Sequence, residues 1–347
     1  MMRLMLIKLI LVVTGAVPIQ ELQVKTSNNM TFDCNLAAAA GAKRGDVMLL
    51  HGFPESKDIW KPLMSLLGDA GYRCLACDQR GYSYGAAPTT VEGYAYTELR
   101  DDVFRMANAS GFSHGFHLVG HDHGGGVGWF ASVSPEGKDR LLSYTAMSIP
   151  HGDAFSDGLH GPTADIQQQV ASQYFTMFVL PDSASIHSGV LRAVCLGSGI
   201  GYLPTCQHAM WWYNGAFGID GVLAMPPLMS ASEISKYSLP MAGLREVFGG
   251  NPDQGKPQKI RGGETTMPTL FVCGGQDSAI LCKNDYSKKT ENFCTGKYPD
   301  GTNGYQYYLD EKLGHSDVVD NEGVMNAVKA HIEKASHPKN LPSVVLL

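Results

Sequence analysis

Phe116-His117-Leu118-Val119-Gly120-His121-Asp122-His123-Gly124-Gly125 is the stretch on which the fold turns. Its first residues read as a buried strand, and the glycine-rich run after Asp122 reads as a helix. Between them stands Gly120-x-Asp122-x-Gly124. Glycines flank the central residue of such a strand–turn–helix unit because the turn is sharp and the backbones pack closely. That central position more commonly carries serine. A carboxylate there faces the ligand-binding edge of a sheet, and the helix that starts beside it favours negative charge through its dipole and free N–H groups. An aspartate that only caps the helix fits the same residues.

Working outward, short apolar runs at 47–50, 72–77 and 142–147 read as further strands, ending at His51-Gly52-Phe53-Pro54, Asp78-Gln79-Arg80-Gly81-Tyr82 and Ser148-Ile149-Pro150. Residues 58–67 are amphipathic, and Leu99, Val103 and Met106 recur at helical spacing. Residues 22–26 and 30–34 alternate around Ser27-Asn28-Asn29, as a hairpin does. The rhythm breaks after Pro150. From His151 to Arg245 the chain is rich in Met, Trp, Tyr, Gly and Pro without strand alternation. It resumes with a strand at 269–273 that ends at Gly274-Gly275-Gln276-Asp277, a last strand at 305–309 followed by Gly314-His315, and a terminal helix near 324–332. Strands alternating with helices predict an α/β fold: one mostly parallel central sheet flanked by helices. The core is expected over 20–150 and 246–347, with 151–245 as an inserted helical lid. In such sheets ligands sit beyond the carboxyl ends of the strands.

Asp122, Asp277 and His315 each follow a strand, in the chain order nucleophile, acid, histidine. In that arrangement Asp277 orients and charge-stabilises the imidazole, and His315 is general base toward water. A carboxylate nucleophile forms a covalent ester and needs neither metal nor organic cofactor.

These features resemble the epoxide-hydrolase branch of the α/β-hydrolases. The matching residues are His51-Gly52-Phe53-Pro54-Glu55, Asp78-Gln79-Arg80-Gly81-Tyr82-Ser83, Gly120-His121-Asp122-His123-Gly124, Ser148-Ile149-Pro150-His151 and Gly314-His315, spread over 20–336. The resemblance implies an oxyanion hole made by the backbone N–H groups of Phe53 and His123, and a cis bond before Pro54. It also implies two lid tyrosines that hydrogen-bond the epoxide oxygen. Tyr174, with Phe178 and Pro181 in register, and Tyr213, with Phe217 and Gly221, match those segments. Tyr202, Trp211 and Trp212 are competing aromatics nearby, and Trp211 and Trp212 are expected to line the substrate site. An ordinary packing role fits each of these rings as well.

Departures bear on the chemistry. Haloalkane dehalogenases of this branch place an indole after the nucleophile and a polar side chain at the position of Phe53; this chain has His123 and Phe53. Fluoroacetate-type relatives surround the nucleophile with arginines, where Gly125, Gly126 and Val127 stand here. Epoxide opening to a vicinal diol is the expected reaction. A dehalogenase, a lactone or ester hydrolase, and a non-catalytic binding protein are the rivals.

Bulk properties set outer bounds. The 347 residues carry a net charge of -6 with no basic stripe, which argues against nucleic acid as a partner. A small, mostly apolar substrate and water are the expected partners, with monomer and homodimer both open. Arg3 and Lys8 around an apolar run at 9–13, then Thr14, Gly15 and Ala16, have the pattern of a signal peptide over 1–19. An added strand or an uncleaved anchor also fits. Secretion is the expectation with such a leader, and a cytoplasmic location without one. Eight cysteines suit an oxidising compartment. The short spacings favour Cys195–Cys206 and Cys282–Cys294 as disulfides, with Cys74, Cys77 and Cys273 as buried thiols.

Overall fold

In a computed structural model, residues 16–53, 55–88, 91–112, 114–160, 164–172 and 263–336 are described. The peptide bond to Pro54, the pair Cys195–Cys206, and Tyr174, Trp211, Trp212 and Tyr213 lie outside these residues, as does the leader pattern through residue 15.

The strands are β1 Ile19–Lys25, β2 Thr31–Ala37, β3 Gly45–Leu50, β4 Tyr72–Cys77, β5 Phe116–His121, β6 Leu141–Met147, β7 Thr269–Gly274 and β8 Tyr305–Asp310. They form one eight-stranded sheet in the order β1-β2-β4-β3-β5-β6-β7-β8. The hairpin predicted at the start is present: β1 pairs antiparallel with β2, Lys25 opposite Thr31, and Asn29 takes the left-handed conformation (φ 63°) in the turn. β2 is antiparallel to β4 as well, and every later pairing is parallel. Residues 17–19, read above as the end of a leader, join the fold: β1 begins at Ile19, and the Val17 N–H donates to Asp69 at 3.1 Å.

The helices are α1 Lys61–Asp69, α2 Tyr96–Ala109, α3 His123–Val133, α4 Pro135–Arg140, α5 Gly152–His160, α6 Ile166–Ala171, α7 Asp285–Lys288 and α8 Glu322–Ser336. Side chains alternate across each strand, so a buried sheet needs cover on both faces. On one face Val47, Leu49, Val119 and Val272 meet Leu63, Met64 and Leu67 of α1 and Val324, Val328 and Ile332 of α8. On the other, Met48, Leu50, Leu118 and Phe271 meet Leu99, Val103 and Met106 of α2 and Val127 and Trp129 of α3. Among the described residues no helix is long and apolar enough to cross a membrane.

The disulfide expectation needs correction. Cys34 is bonded to Cys77 and Cys273 to Cys282, while Cys294 is a buried free thiol. Cys34 and Cys77, 43 residues apart, are brought face to face by the β2–β4 ladder, whereas Cys282 does close a short loop but with Cys273, 9 residues away, instead of Cys294. Cys282 folds back onto the end of β7. Cys74 stays free as expected; it and Cys77 point to opposite faces of the sheet and belong to different cores.

Several histidines are buried uncharged. His117 lies between the hydroxyls of Ser143 (2.8 Å) and Ser336 (3.0 Å), and burial lowers its pKa from 6.5 to about 3. Such a group binds a proton in the unfolded chain but not in the native one, so its contribution to stability is lost as pH falls from 6.5 toward about 3. The slope is about 1.4 kcal/mol per pH unit for each such histidine. His117→Asn should therefore flatten the acid limb of stability against pH by one proton equivalent in urea unfolding. An unchanged slope would mean that His117 is already charged in the fold.

Candidate active site

The site is built at the carboxyl ends of β3, β5, β6 and β7 and the loop after β8. β5 ends at His121, α3 begins at His123, and Asp122 between them is held at φ 50°, ψ −125°. Asn29, Asp122 and Ser148 are the non-glycine residues with positive φ among those described, and two of the three belong to this site. Such backbone strain persists only where surrounding structure over-determines it.

The flanking glycines are required by contact. A Cβ on Gly124 would stand 2.3 Å from the His51 carbonyl oxygen and 2.4 Å from that of Leu50. One on Gly120 would stand 2.4 Å from the Gly124 carbonyl oxygen, and one on Gly52 would stand 2.4 Å from the Asp122 Cβ. The absence of these atoms lets the 51–53 loop close over the elbow. That loop is fixed by His51: its Nε2 accepts from the Gln79 N–H at 3.0 Å, which leaves Nδ1 to donate to the Gly52 carbonyl at 2.8 Å.

Asp122, Asp277 and His315, separate in sequence, meet here. The Phe53 N–H donates to Asp122 Oδ1 at 2.8 Å, and His315 Nε2 lies 3.2 Å from Asp122 Oδ2. His315 Nδ1 lies 2.7 Å from Asp277 Oδ2. Asp277 Oδ1 accepts from the N–H groups of Ala279 and Ile280, each at 2.9 Å, so both carboxylate oxygens are engaged. Burial alone would raise the Asp122 pKa; the hydrogen bond and charge of His315, aided by His121 and the Phe53 amide, more than reverse this and hold it below the usual carboxylate range. Burial pulls the His315 pKa down, but its two carboxylate neighbours push it well above the ordinary value. The resting pair is an imidazolium beside a carboxylate. His123 opens α3, where the first N–H groups have no partner within the helix. Its ring is buried against Tyr96, and burial lowers its pKa to about 3.

Residues beyond the three complete the arrangement. Glu55 Oε2 accepts from the Gly52 N–H at 2.9 Å and lies 2.8 Å from His121 Nδ1. His121 Nε2 donates to the His315 main-chain carbonyl at 2.9 Å, and Ser148 Oγ donates to the same oxygen at 3.3 Å. Glu55 stays ionised, because although burial would raise its pKa His121 lowers it further. Glu55 and Ser148 stand inside the motifs quoted above, and His121 sits one residue before Asp122; the sequence marks their positions and not this linkage. Among the described residues no cluster of His, Cys, Asp or Glu is arranged to hold a metal ion.

Comparison with known proteins adds to this geometry. The family model described as "alpha/beta hydrolase fold" matches residues 47–191. Epoxide hydrolase A of Mycobacterium tuberculosis (strain ATCC 25618 / H37Rv) is 38% identical over 251 residues, which cover 67% of this chain and 76% of that protein. The chain belongs to the α/β-hydrolase family, in its epoxide-hydrolase-like branch. The AB hydrolase superfamily protein YfhM of Bacillus subtilis (strain 168) is 38% identical to this α/β-hydrolase over 149 residues, 42% of the chain and 49% of YfhM. The chain spans about half the length, or less, of several of the curated relatives it matches. A solved structure titled "Novel epoxide hydrolases belonging to the alpha/beta hydrolases superfamily in metagenomes from hot environments" shares the α/β-hydrolase fold with a TM-score of 0.65 at 20% identity, covering 92% of this chain and 99% of that one.

The close approach at the elbow is testable. Gly124→Ala should cost about 3 kcal/mol in urea unfolding, since the opposing atoms are backbone and cannot swing away. Gly125→Ala, whose Cβ would come no nearer than 3.3 Å, should cost less than about 1 kcal/mol. Equal losses at both would contradict the steric account of the motif.

Proposed function

We propose that this α/β-hydrolase opens an epoxide to a vicinal diol through a covalent ester on Asp122. The observation that carries the reading is the unbroken line from Asp277 through His315 to Asp122, with a backbone N–H on the far oxygen of the carboxylate. Oδ1 rests on the Phe53 amide, so Oδ2 is the attacking oxygen. It bonds to an epoxide carbon as that carbon's bond to the ring oxygen breaks. Tyr174 and Tyr213, in a lid over 151–245, hydrogen-bond the ring oxygen and supply the proton that makes it a hydroxyl. Trp211 and Trp212 line the apolar end of the site, and 20–150 with 246–347 form the core beneath.

The second half follows from electrostatics. In the ester Asp122 has lost its charge, so His315 keeps only Asp277 as counter-ion and its pKa falls. It then gives up its proton, which replaces the one spent at the tyrosines, and accepts one from water. That water adds to the ester carbonyl carbon. The oxyanion formed lies at the amides of Phe53 and His123, where each donor contributes about 3–4 kcal/mol to such a transition state. Collapse releases the diol and restores the carboxylate. Neither metal nor organic cofactor enters any step. The names of relatives in this branch, and the lack of an indole or polar donor at positions 123 and 53, favour an epoxide over a haloalkane.

His315→Gln should strand the ester. Intact-mass analysis after exposure to mixed epoxides and haloalkanes should show an adduct of epoxide mass, mapping to the peptide that holds Asp122. An alkyl adduct accompanied by halide release would replace the epoxide reading with dehalogenation. A pocket that binds ligand without any adduct would leave a binding protein.

A further inference from the structure

The segment that carries Asp277 is held from outside the core. Gln168 of α6 lies in the stretch inserted after β6 and is fully buried. Its Nε2 donates to the Ala279 carbonyl at 3.0 Å and to Ser172 Oγ at 2.7 Å. Its Oε1 accepts from the Leu281 N–H at 2.6 Å and from the Tyr286 hydroxyl at 2.6 Å. A side-chain amide has two donor hydrogens and two acceptor lone pairs, and all are used here. Three of the four partners belong to the stretch from Ala279 to Tyr286. Beside this contact, Asp165 caps α6 by accepting from the Gln168 N–H at 3.0 Å and also accepts from Asn284 Nδ2 at 2.8 Å.

The clamp sits on the residues that aim the acid. Asp277 Oδ1 is fixed by the amides of Ala279 and Ile280, so the carboxylate plane follows the position of that backbone. Gln168 grips the same backbone at the carbonyl of Ala279 and the amide of Leu281, and the Cys273–Cys282 bond ties its far end to β7. We propose that Gln168 is a positioning residue through which the inserted segment sets the aim of Asp277 on His315. This deepens the reaction proposed above and rests on it. Asp277 matters most when His315 gains charge by taking a proton from water, which is ester hydrolysis. Ester formation depends on Asp122, held by Phe53 and His315 instead. Loss of the clamp therefore slows the second step selectively.

The test separates the two steps with styrene oxide as probe, following ester formation and decay by quenched intact-mass time courses on the full chain. Gln168→Met keeps length and apolar packing but removes all four hydrogen bonds. Its ester-hydrolysis constant should fall on the order of tenfold to a hundredfold, the scale of a small misplacement transmitted from a distance, while ester formation per active site is preserved. Ester should then accumulate in the steady state. Tyr286→Phe removes a single bond and keeps the buried ring; it should slow the same constant to a lesser degree, and it carries the test if Gln168→Met does not fold. A structural defect alone would lower the number of active sites and leave the ratio of the two constants unmoved. That outcome, or a parallel fall in both constants, overturns the proposal. If even His315→Gln never carries ester, the reaction scheme itself has failed, which these measurements distinguish from failure of the clamp.

Discussion

Everything at this site depends on keeping one buried carboxylate charged. Burial of an isolated charge is costly, and a carboxyl in such a place would ordinarily take up a proton. Asp122 escapes this because the Phe53 amide meets one oxygen and His315 the other. Both partners come from elsewhere in the chain, so the charge survives only when the sheet has brought β3, β5 and the loop after β8 together. The strained backbone at Asp122 and the bare glycines at 52, 120 and 124 are the steric conditions for that meeting.

The supports of His315 are layered. Asp277 holds its ring, and His121 and Ser148 hold its main-chain carbonyl. Glu55 holds His121 and also the Gly52 amide, and so joins the histidine's anchor to the loop that presents Phe53. On the other side Gln168 holds the backbone that aims Asp277. A displacement in either direction reaches the same imidazole. Charge and packing here act as one assembly, and deletions within it are not expected to add.

How much could be read beforehand depended on whether a local signal existed. The elbow, the strand ends and the order of Asp122, Asp277 and His315 leave marks in the sequence, because sharp turns demand glycine and buried strands demand apolar runs. β5 runs on through Gly120 to His121, beyond the apolar run at 116–119, because His121 is buried with its partners elsewhere in the fold, at Glu55 and the His315 carbonyl. Cys34 carried no local pairing signal because strand order alone places it opposite Cys77, across a separation of 43 residues, and the short-loop signal at Cys282 chose Cys294 where the fold chooses Cys273. Gln168 gave no signal at all: a glutamine has no chemistry of its own, and its importance lies in four partners that only the folded chain assembles. Glu55 and His121 were visible as parts of motifs, but nothing local linked one to the other.

In the proposed reaction the Asp122 carboxylate, rather than water, makes the first bond to the substrate. A single turnover of an epoxide in water enriched in oxygen-18, with enzyme in excess, tests it directly. With Asp122 as nucleophile, the diol from that first turnover carries ordinary oxygen taken from Asp122, and the heavy isotope appears in the Asp122 peptide. A diol labelled in the first turnover, with the Asp122 peptide unlabelled, would contradict the account and make Asp122 at most a base or an electrostatic partner.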